Sequence, residues 1–187
     1  MIRKQAFLHF NQQPFKDWTD TITALAPEVE VAQSSERDVH NDRVSEVSWI
    51  NSTEDSNSLF QFIWEMQDAG NKDAEWKFDV DIIEPLQYTQ YDGEKEQRYD
   101  WHVDHRIDEV EESIRKLSFT ILLDGEFEGG EFEIEAGSPG TPERVHTVDL
   151  KPGDAVLFPS YMWHRVKPVT SGTRRSLVGW VRGPQWR

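Results

Sequence analysis

Two histidines and one aspartate have the types and spacing needed for metal chemistry. His102 and Asp104 are two residues apart, so in an extended chain their side chains project from the same face. If the fold brings His164 to that face, two imidazoles and one carboxylate can hold a divalent iron and leave positions open for substrate and oxygen. The alternative for the His-x-Asp pair is a surface ion pair, because the chain contains six His and 35 acidic residues.

An ordered series of motifs around these residues favours the metal site over the ion pair. The series comprises Tyr91-x-Gly93, Tyr99-x-x-His102-x-Asp104, Leu117-Ser118-x-Thr120-x-Leu122-Leu123, Gly129-Gly130-Glu131-Phe132, Pro152-Gly153-Asp154 through Pro159, His164-x-Val166-x-Pro168-Val169 and Gly172-x-Arg174. With these motifs, the stretch from about Pro85 to Arg182 resembles the Fe(II)- and 2-oxoglutarate-dependent dioxygenases, specifically their prolyl 4-hydroxylase-like branch.

The resemblance implies a double-stranded β-helix, which is a jelly-roll or cupin-like barrel. It implies that His102, Asp104 and His164 bind Fe(II), that Arg174 binds the distal carboxylate of 2-oxoglutarate, and that Tyr91 contacts the same cosubstrate. Fe(II), 2-oxoglutarate and O2 are the implied cofactors, with ascorbate in support. The implied reaction hydroxylates a peptidyl proline and releases succinate and CO2. The alternatives are a lysyl residue or a free small molecule with the same cofactors, or a cupin-like binding protein without catalysis.

Strand alternation adds candidates around the cosubstrate. Arg174 and Trp180 share one face of a predicted strand, whereas Arg175 points to the opposite face. A buried guanidinium needs an anion, and its planar fork suits a carboxylate. Ser118 and Thr120 share a face of another predicted strand, where their hydroxyl groups would line the polar end of the pocket. We therefore expect Ser118, Thr120 and Trp180 to join the cofactor-binding residues.

The elements that must position these residues change character near Trp76. Before it, apolar residues at helical spacing predict helices over residues 14–25 and 59–69, with a strand over 44–50 between them. Gly70 and Asn71 are predicted to end the second helix. After Trp76, eight short apolar segments between turn residues predict the strands of a barrel. They are residues 76–83, 86–91, 117–123, 131–135, 145–150, 155–159, 163–168 and 176–182.

The whole chain is predicted to be one mainly β domain. We expect a helical and strand scaffold over residues 1–75 and a catalytic barrel over residues 76–187. Because the chain has no cysteine, thiolate metal sites and disulfides are excluded. No stretch approaches the ~20 apolar residues of a membrane span, and the first residues lack the long apolar region of a signal peptide. The sequence therefore predicts a cytoplasmic protein that does not contact membranes.

The charge of the chain predicts the kind of partner. A net charge of −15 opposes binding to nucleic-acid phosphates and favours encounter with basic molecules. Acidic residues are concentrated near the His-x-Asp motif, where they would surround the mouth of the barrel. We expect a basic polypeptide substrate whose capture involves Asp108, Glu109, Glu111 and Glu112.

Overall fold

The computed structural model describes residues 5–11, 18–32, 43–110, 112–137, 141 and 143–185. Two α-helices lie in this part of the chain, α1 (Thr19–Leu25) and α2 (Asn57–Asp73). The strands are β1 (Leu8–Phe10), β2 (Glu30–Val31), β3 (Arg43–Val44), β4 (Glu46–Ile50), β5 (Ile82–Ile83), β6 (Leu86–Asp92), β7 (Arg98–His102), β8 (Ile107–Asp108), β9 (Ser113–Leu122), β10 (Phe127–Gly129), β11 (Phe132–Glu135), β12 (Val145–Val148), β13 (Ala155–Pro159), β14 (His164–Val166) and β15 (Val169–Pro184).

The strands form two antiparallel sheets. The larger sheet has ten strands along the order β1-β13-β9-β15-β6-β4-β2, with β5, β8 and β10 attached at its sides. The smaller sheet has five strands in the order β12-β11-β14-β7-β3. Strands β1, β3 and β4 come from the segment before Trp76, yet they pair with β13, β7 and β6 of the later segment. The mainly β architecture predicted from the sequence is confirmed.

Helix α2 covers the outer face of the larger sheet. Its Leu59 and Ile63 are fully buried and pack in one apolar cluster with Phe119 and Leu177 of the sheet. The prediction that this helix ends at Gly70 is wrong, because the helix continues to Asp73. A Cβ atom at Gly70 would lie 2.4 Å from the side chain of Leu157, so this glycine allows the helix to approach the sheet closely.

The long strand β15 connects the outer core to the interior of the barrel. It pairs with β9 on one side and with β6 on the other, and Arg174 lies opposite Tyr91. Alternate residues such as Leu177 and Val181 belong to the outer core. The intervening residues, which include Arg174 and Trp180, are also buried and lie on the inward face.

Several predicted boundaries differ from the structure. Within the predicted strand over residues 76–83, only Ile82–Ile83 is a strand. Strand β7 was missing from the eight predicted strands, because its sequence Arg-Tyr-Asp-Trp-His lacks an apolar run. Residues 14–17 of the first predicted helix lie outside the described residues, and α1 occupies Thr19–Leu25. In the described part of the chain, no helix combines the length and apolar character needed to cross a membrane.

Candidate metal centre

The two predicted metal-binding histidines are direct partners across two strands. His102 at the end of β7 pairs with His164 at the start of β14. Asp104 follows β7, and its backbone N–H donates a hydrogen bond of 3.0 Å to the carbonyl of Ser160. The ligand atoms of the three residues all lie within 4.8 Å of one another, and all three side chains are buried. The fold therefore brings the sequence-predicted set together inside the barrel.

Backbone carbonyl groups orient both imidazoles. His102 Nδ1 lies 2.7 Å from the carbonyl oxygen of Asp100, and His164 Nδ1 lies 3.0 Å from that of Met162. Because a carbonyl oxygen only accepts, Nδ1 carries the proton of the neutral ring and Nε2 presents its lone pair. Burial, together with His164, lowers the pKa of His102 to about 3. His102 is therefore neutral near pH 7, as a metal ligand must be.

The carboxylate of Asp104 lies between the two imidazoles. Its Oδ1 is 3.7 Å from His102 Nε2, and its Oδ2 is 3.4 Å from His164 Nε2. Burial alone would raise the pKa of Asp104, but the two histidines outweigh this effect and hold that pKa below its ordinary value. Two imidazole nitrogens and one ionised carboxylate fit Fe(II) with open coordination positions. The donor set thus suits the metal that the sequence predicts.

Arg174 is a buried cation without a carboxylate partner among the described ion pairs. It is 1% exposed, and its Nη1 donates to Ser176 Oγ over 3.1 Å. Its Nε is buried and has no hydrogen-bond partner. Burial lowers the pKa of Arg174, because a buried guanidinium is poorly solvated. The neighbouring Arg175, in contrast, is partly exposed and forms an ion pair of 2.7 Å with Asp124. An anion beside Arg174 would satisfy the buried guanidinium, and the carboxylate of 2-oxoglutarate has the right charge.

The Gly129-Gly130 motif makes room for the side chain of Arg174. A Cβ atom at Gly130 would lie 2.9 Å from Arg174 Cδ. Gly130 also has a φ of +65°, a conformation that residues with a Cβ rarely adopt. The Gly129-Gly130-Glu131-Phe132 motif contains this glycine but does not reveal that contact. Its contact with Arg174 is the additional reason for glycine at this position.

Tyr91 is close enough to Arg174 and to Asp104 for both charges to act on its phenol. It is buried on β6, and the guanidinium carbon of Arg174 is 5.7 Å from the centroid of its ring. Burial raises the pKa of Tyr91, while the positive charges of Arg43 and Arg174 oppose this and the charge of Asp104 adds to it. The phenol is therefore protonated at neutral pH and can donate a hydrogen bond.

The three remaining predicted cofactor-binding residues are also buried. Ser118 Oγ lies 2.9 Å from Ser160 Oγ, so its hydroxyl group has a protein partner. Thr120 lies two residues further along β9 and pairs with Val178 of β15. Trp180 is 6% exposed, and its Nε1 has no hydrogen-bond partner. An unpaired buried N–H group is a donor available to a bound molecule.

Sequence reasoning missed two residues next to the metal centre. The ring of Tyr99 stacks on the imidazole of His102, and the guanidinium of Arg43 lies 4.8 Å from the centroid of the Tyr99 ring. The Tyr-x-x-His spacing includes Tyr99, but it does not reveal the stacking. Arg43 lies in a polar stretch of the sequence and reaches this position only because β3 pairs with β7. No local pattern could have identified it.

Comparison with known proteins identifies relatives of the barrel segment. Residues 86–182 match the 2OG-Fe(II) oxygenase superfamily. A PKHD-type hydroxylase of Idiomarina loihiensis is 34% identical over 104 residues, which cover 54% of this chain and 45% of that protein. A PKHD-type hydroxylase of a Synechococcus species is 42% identical over 90 residues, which cover 47% of this chain and 38% of that protein. The chain thus spans less than half the length of these relatives.

Solved structures share the fold of almost the whole chain. A Pseudomonas putida prolyl-4-hydroxylase has a TM-score of 0.69 at 19% identity, covering 97% of this chain and 94% of that one. A prolyl hydroxylase of Trichoplax adhaerens in complex with a hypoxia inducible factor peptide fragment has a TM-score of 0.67 at 15% identity, covering 95% of this chain and 83% of that one. These likenesses confirm the predicted double-stranded β-helix.

Proposed function

Since the chain belongs to the 2OG-Fe(II) oxygenase superfamily, we propose that it hydroxylates a proline residue of a polypeptide and converts 2-oxoglutarate and O2 into succinate and CO2 in the same turnover. The observation that carries the proposal is the buried guanidinium of Arg174, which has an unpartnered Nε on the inward face. Tyr91 connects it to the triad, because both Arg174 and Asp104 act electrostatically on its phenol. In this proposal, a cation for the cosubstrate and a donor set for iron belong to one site.

The residues of this site receive distinct roles in the proposal. His102, Asp104 and His164 would hold Fe(II). Arg174 would bind the distal carboxylate of 2-oxoglutarate, because its planar guanidinium can donate two N–H hydrogen bonds to a carboxylate. Tyr91 donates its phenol proton to an oxygen of the same molecule.

Three further residues complete the cosubstrate pocket in the proposal. Thr120 and the Ser118 hydroxyl, which Ser160 orients, line its polar wall. Trp180 closes the pocket with its ring, and its unpartnered N–H can donate to cosubstrate or substrate. The guanidinium of Arg115 lies 3.9 Å from the Trp180 ring and restrains its position.

Iron, 2-oxoglutarate and O2 together supply an oxidant that can hydroxylate an unactivated C–H bond. The protein positions the bound molecules and excludes water from them. Phe132, Phe158 and Val166 are buried in one apolar cluster, and both phenylalanine rings lie within 6 Å of the His164 imidazole at centroid distances of 5.8 and 4.6 Å. Apolar walls exclude water from the reactive centre, which protects it from side reactions.

The proposed substrate is a proline in a basic polypeptide segment. The relatives named as prolyl hydroxylases support proline, and the peptide complex among them supports a polypeptide. Glu109 and Glu112 are exposed and line an open cavity of about 550 Å³ together with Pro184 and Gln185. Asp108 of the same acidic stretch lies 3.5 Å from Arg182, so its charge is partly compensated, and Glu111 lies outside the described residues. The net charge of −15 adds attraction for a basic segment.

The test is direct detection of the two products. The protein is incubated with Fe(II), 2-oxoglutarate, O2, ascorbate and a library of proline-containing peptides that differ in charge. Mass spectrometry should find one added oxygen atom on proline, preferentially in basic peptides, together with succinate. The Asp104→Ala variant serves as the control and should form neither product.

The possible failures separate the parts of the proposal. Oxygen added to lysine, or only to small molecules from an extract, would replace the substrate but keep the cofactor chemistry. Absence of succinate from the wild-type protein under every condition would contradict the assigned oxygenase reaction itself.

A further inference from the structure

A tyrosine ring lies flat against one of the two imidazoles of the metal centre. The centroids of the Tyr99 and His102 rings are 3.5 Å apart, and their planes are inclined by only 10°. Tyr99 and His102 are three residues apart on β7, so in a regular strand their side chains would point to opposite faces. The stack therefore requires a departure from regular strand geometry.

An irregularity in β7 supplies this departure. His102 pairs with His164, but Tyr99 pairs with Val166, so three steps along β7 correspond to two steps along β14. This is the register of a β-bulge, in which one strand carries an extra residue. The extra residue turns Tyr99 onto the face of His102, and bulges commonly re-aim side chains next to functional sites.

The stack restrains a motion that the hydrogen bond of His102 leaves free. The bond from His102 Nδ1 to the carbonyl of Asp100 fixes one atom of the ring, but the ring can still tilt about that contact. A parallel ring at 3.5 Å blocks the tilt, because ring atoms would come closer than van der Waals contact. His164 has a different environment, since Phe158 meets it edge-on at 4.6 Å and 61°.

Tyr99 is itself held by Arg43. The guanidinium carbon of Arg43 lies 4.8 Å from the centroid of the Tyr99 ring. Arg43 in turn donates from Nη2 to Gln87 Oε1 over 2.7 Å and from Nε to Ser45 Oγ over 2.9 Å. The tyrosine ring therefore rests against a fixed cation, and a cation over an aromatic ring is attracted to it.

We propose that Tyr99 is a positioning residue that aims His102 Nε2 at the metal before the metal binds. The bulge of β7 provides the stack, and Arg43 keeps the tyrosine ring in place. The inference rests on the proposed assignment of His102 as a metal ligand, but it does not depend on the substrate. Its consequence is a metal affinity that depends on the aromatic ring at position 99 and not on the hydroxyl group.

Titration with Co(II) tests the inference without any hydroxylation assay. Calorimetry gives the affinity for Co(II), and the visible absorption bands of bound Co(II) report the geometry of its ligands. Tyr99→Leu should lower the affinity about two- to tenfold, the range expected for one aromatic pair, and should alter the absorption bands. Tyr99→Phe keeps the ring and should match the wild-type protein in both measurements.

Three results would overturn the inference while leaving the ligand assignment of His102 standing. The first is Tyr99→Leu with wild-type affinity and spectrum, and the second is Tyr99→Phe with a loss as large as that of Tyr99→Leu. If Tyr99→Leu does not fold, NMR of the metal-free wild-type protein decides, because the stack predicts a nuclear Overhauser effect between the ring protons of Tyr99 and His102. Absence of this Overhauser effect would be the third result.

A His102→Ala variant that binds Co(II) normally would overturn the ligand assignment as well, so failure of the assignment is distinguishable from failure of the stack alone.

Discussion

Replacement of Arg174 by alanine should weaken the binding of 2-oxoglutarate severely. Arg174 is 1% exposed, so a carboxylate bound beside it would be shielded from water. Truncating one partner of a buried, hydrogen-bonded charge pair costs about 2–5 kcal/mol. With about 1.4 kcal/mol for each factor of ten, the dissociation constant should rise by about 30-fold to several thousand-fold.

Arg175→Ala is the matched control. Arg175 follows Arg174 in the chain but pairs with Asp124, and the two side chains are 39% and 28% exposed. An ion pair with this exposure contributes about 0–1 kcal/mol, so the variant should bind 2-oxoglutarate as the wild-type protein does. Arg174→Lys should fall between the two, because it keeps the charge but loses the planar fork.

The assay measures succinate formation over a range of 2-oxoglutarate concentrations, together with calorimetric binding of 2-oxoglutarate to the metal-loaded protein. Equal losses in Arg174→Ala and Arg175→Ala would contradict the assigned inward face of β15. Normal binding by Arg174→Ala would show that another cation holds the distal carboxylate. Thermal unfolding of each metal-free variant checks that the barrel is intact.

Three other changes test separate parts of the site. Asp104→Ala should abolish stoichiometric iron binding and turnover while the barrel stays folded, and calorimetric binding at wild-type affinity would refute the ligand assignment. Gly130→Ala should destabilise the protein by about 1–3 kcal/mol, because the position has φ +65°, and should raise the KM for 2-oxoglutarate, because the new Cβ would meet Arg174. Denaturant unfolding measures the first effect and succinate kinetics the second. A stable variant with normal KM would contradict the close approach. The third change replaces four acidic residues together by Asn or Gln: Asp108, Glu109, Glu111 and Glu112. It should reduce the preference for basic proline peptides at low salt but not at high salt. Hydroxylation rates across a salt series measure this preference, and an unchanged preference would refute electrostatic capture.

Local spacing in the sequence predicted much of the candidate site. The two-residue interval between His102 and Asp104, and the adjacency of Arg174 and Arg175, are meaningful because side chains alternate along extended chain. Both patterns agree with the burial in the structure, where His102, Asp104 and Arg174 are buried and Arg175 is partly exposed. The absence of cysteine also restricted the metal ligands to nitrogen and oxygen donors.

Only the tertiary structure decided how distant residues meet. The pairing of β7 with β14 brings His164 to His102, and the bulge in that pairing turns Tyr99 onto the imidazole. Arg43 reaches Tyr99 through β3, and Gly70 lies within its helix, where the absence of a Cβ allows close packing on Leu157. The physical reason is common to all of these contacts. Spacing along the chain reports which face a side chain occupies, whereas strand register and packing distance are set by contacts between segments that are far apart in the sequence.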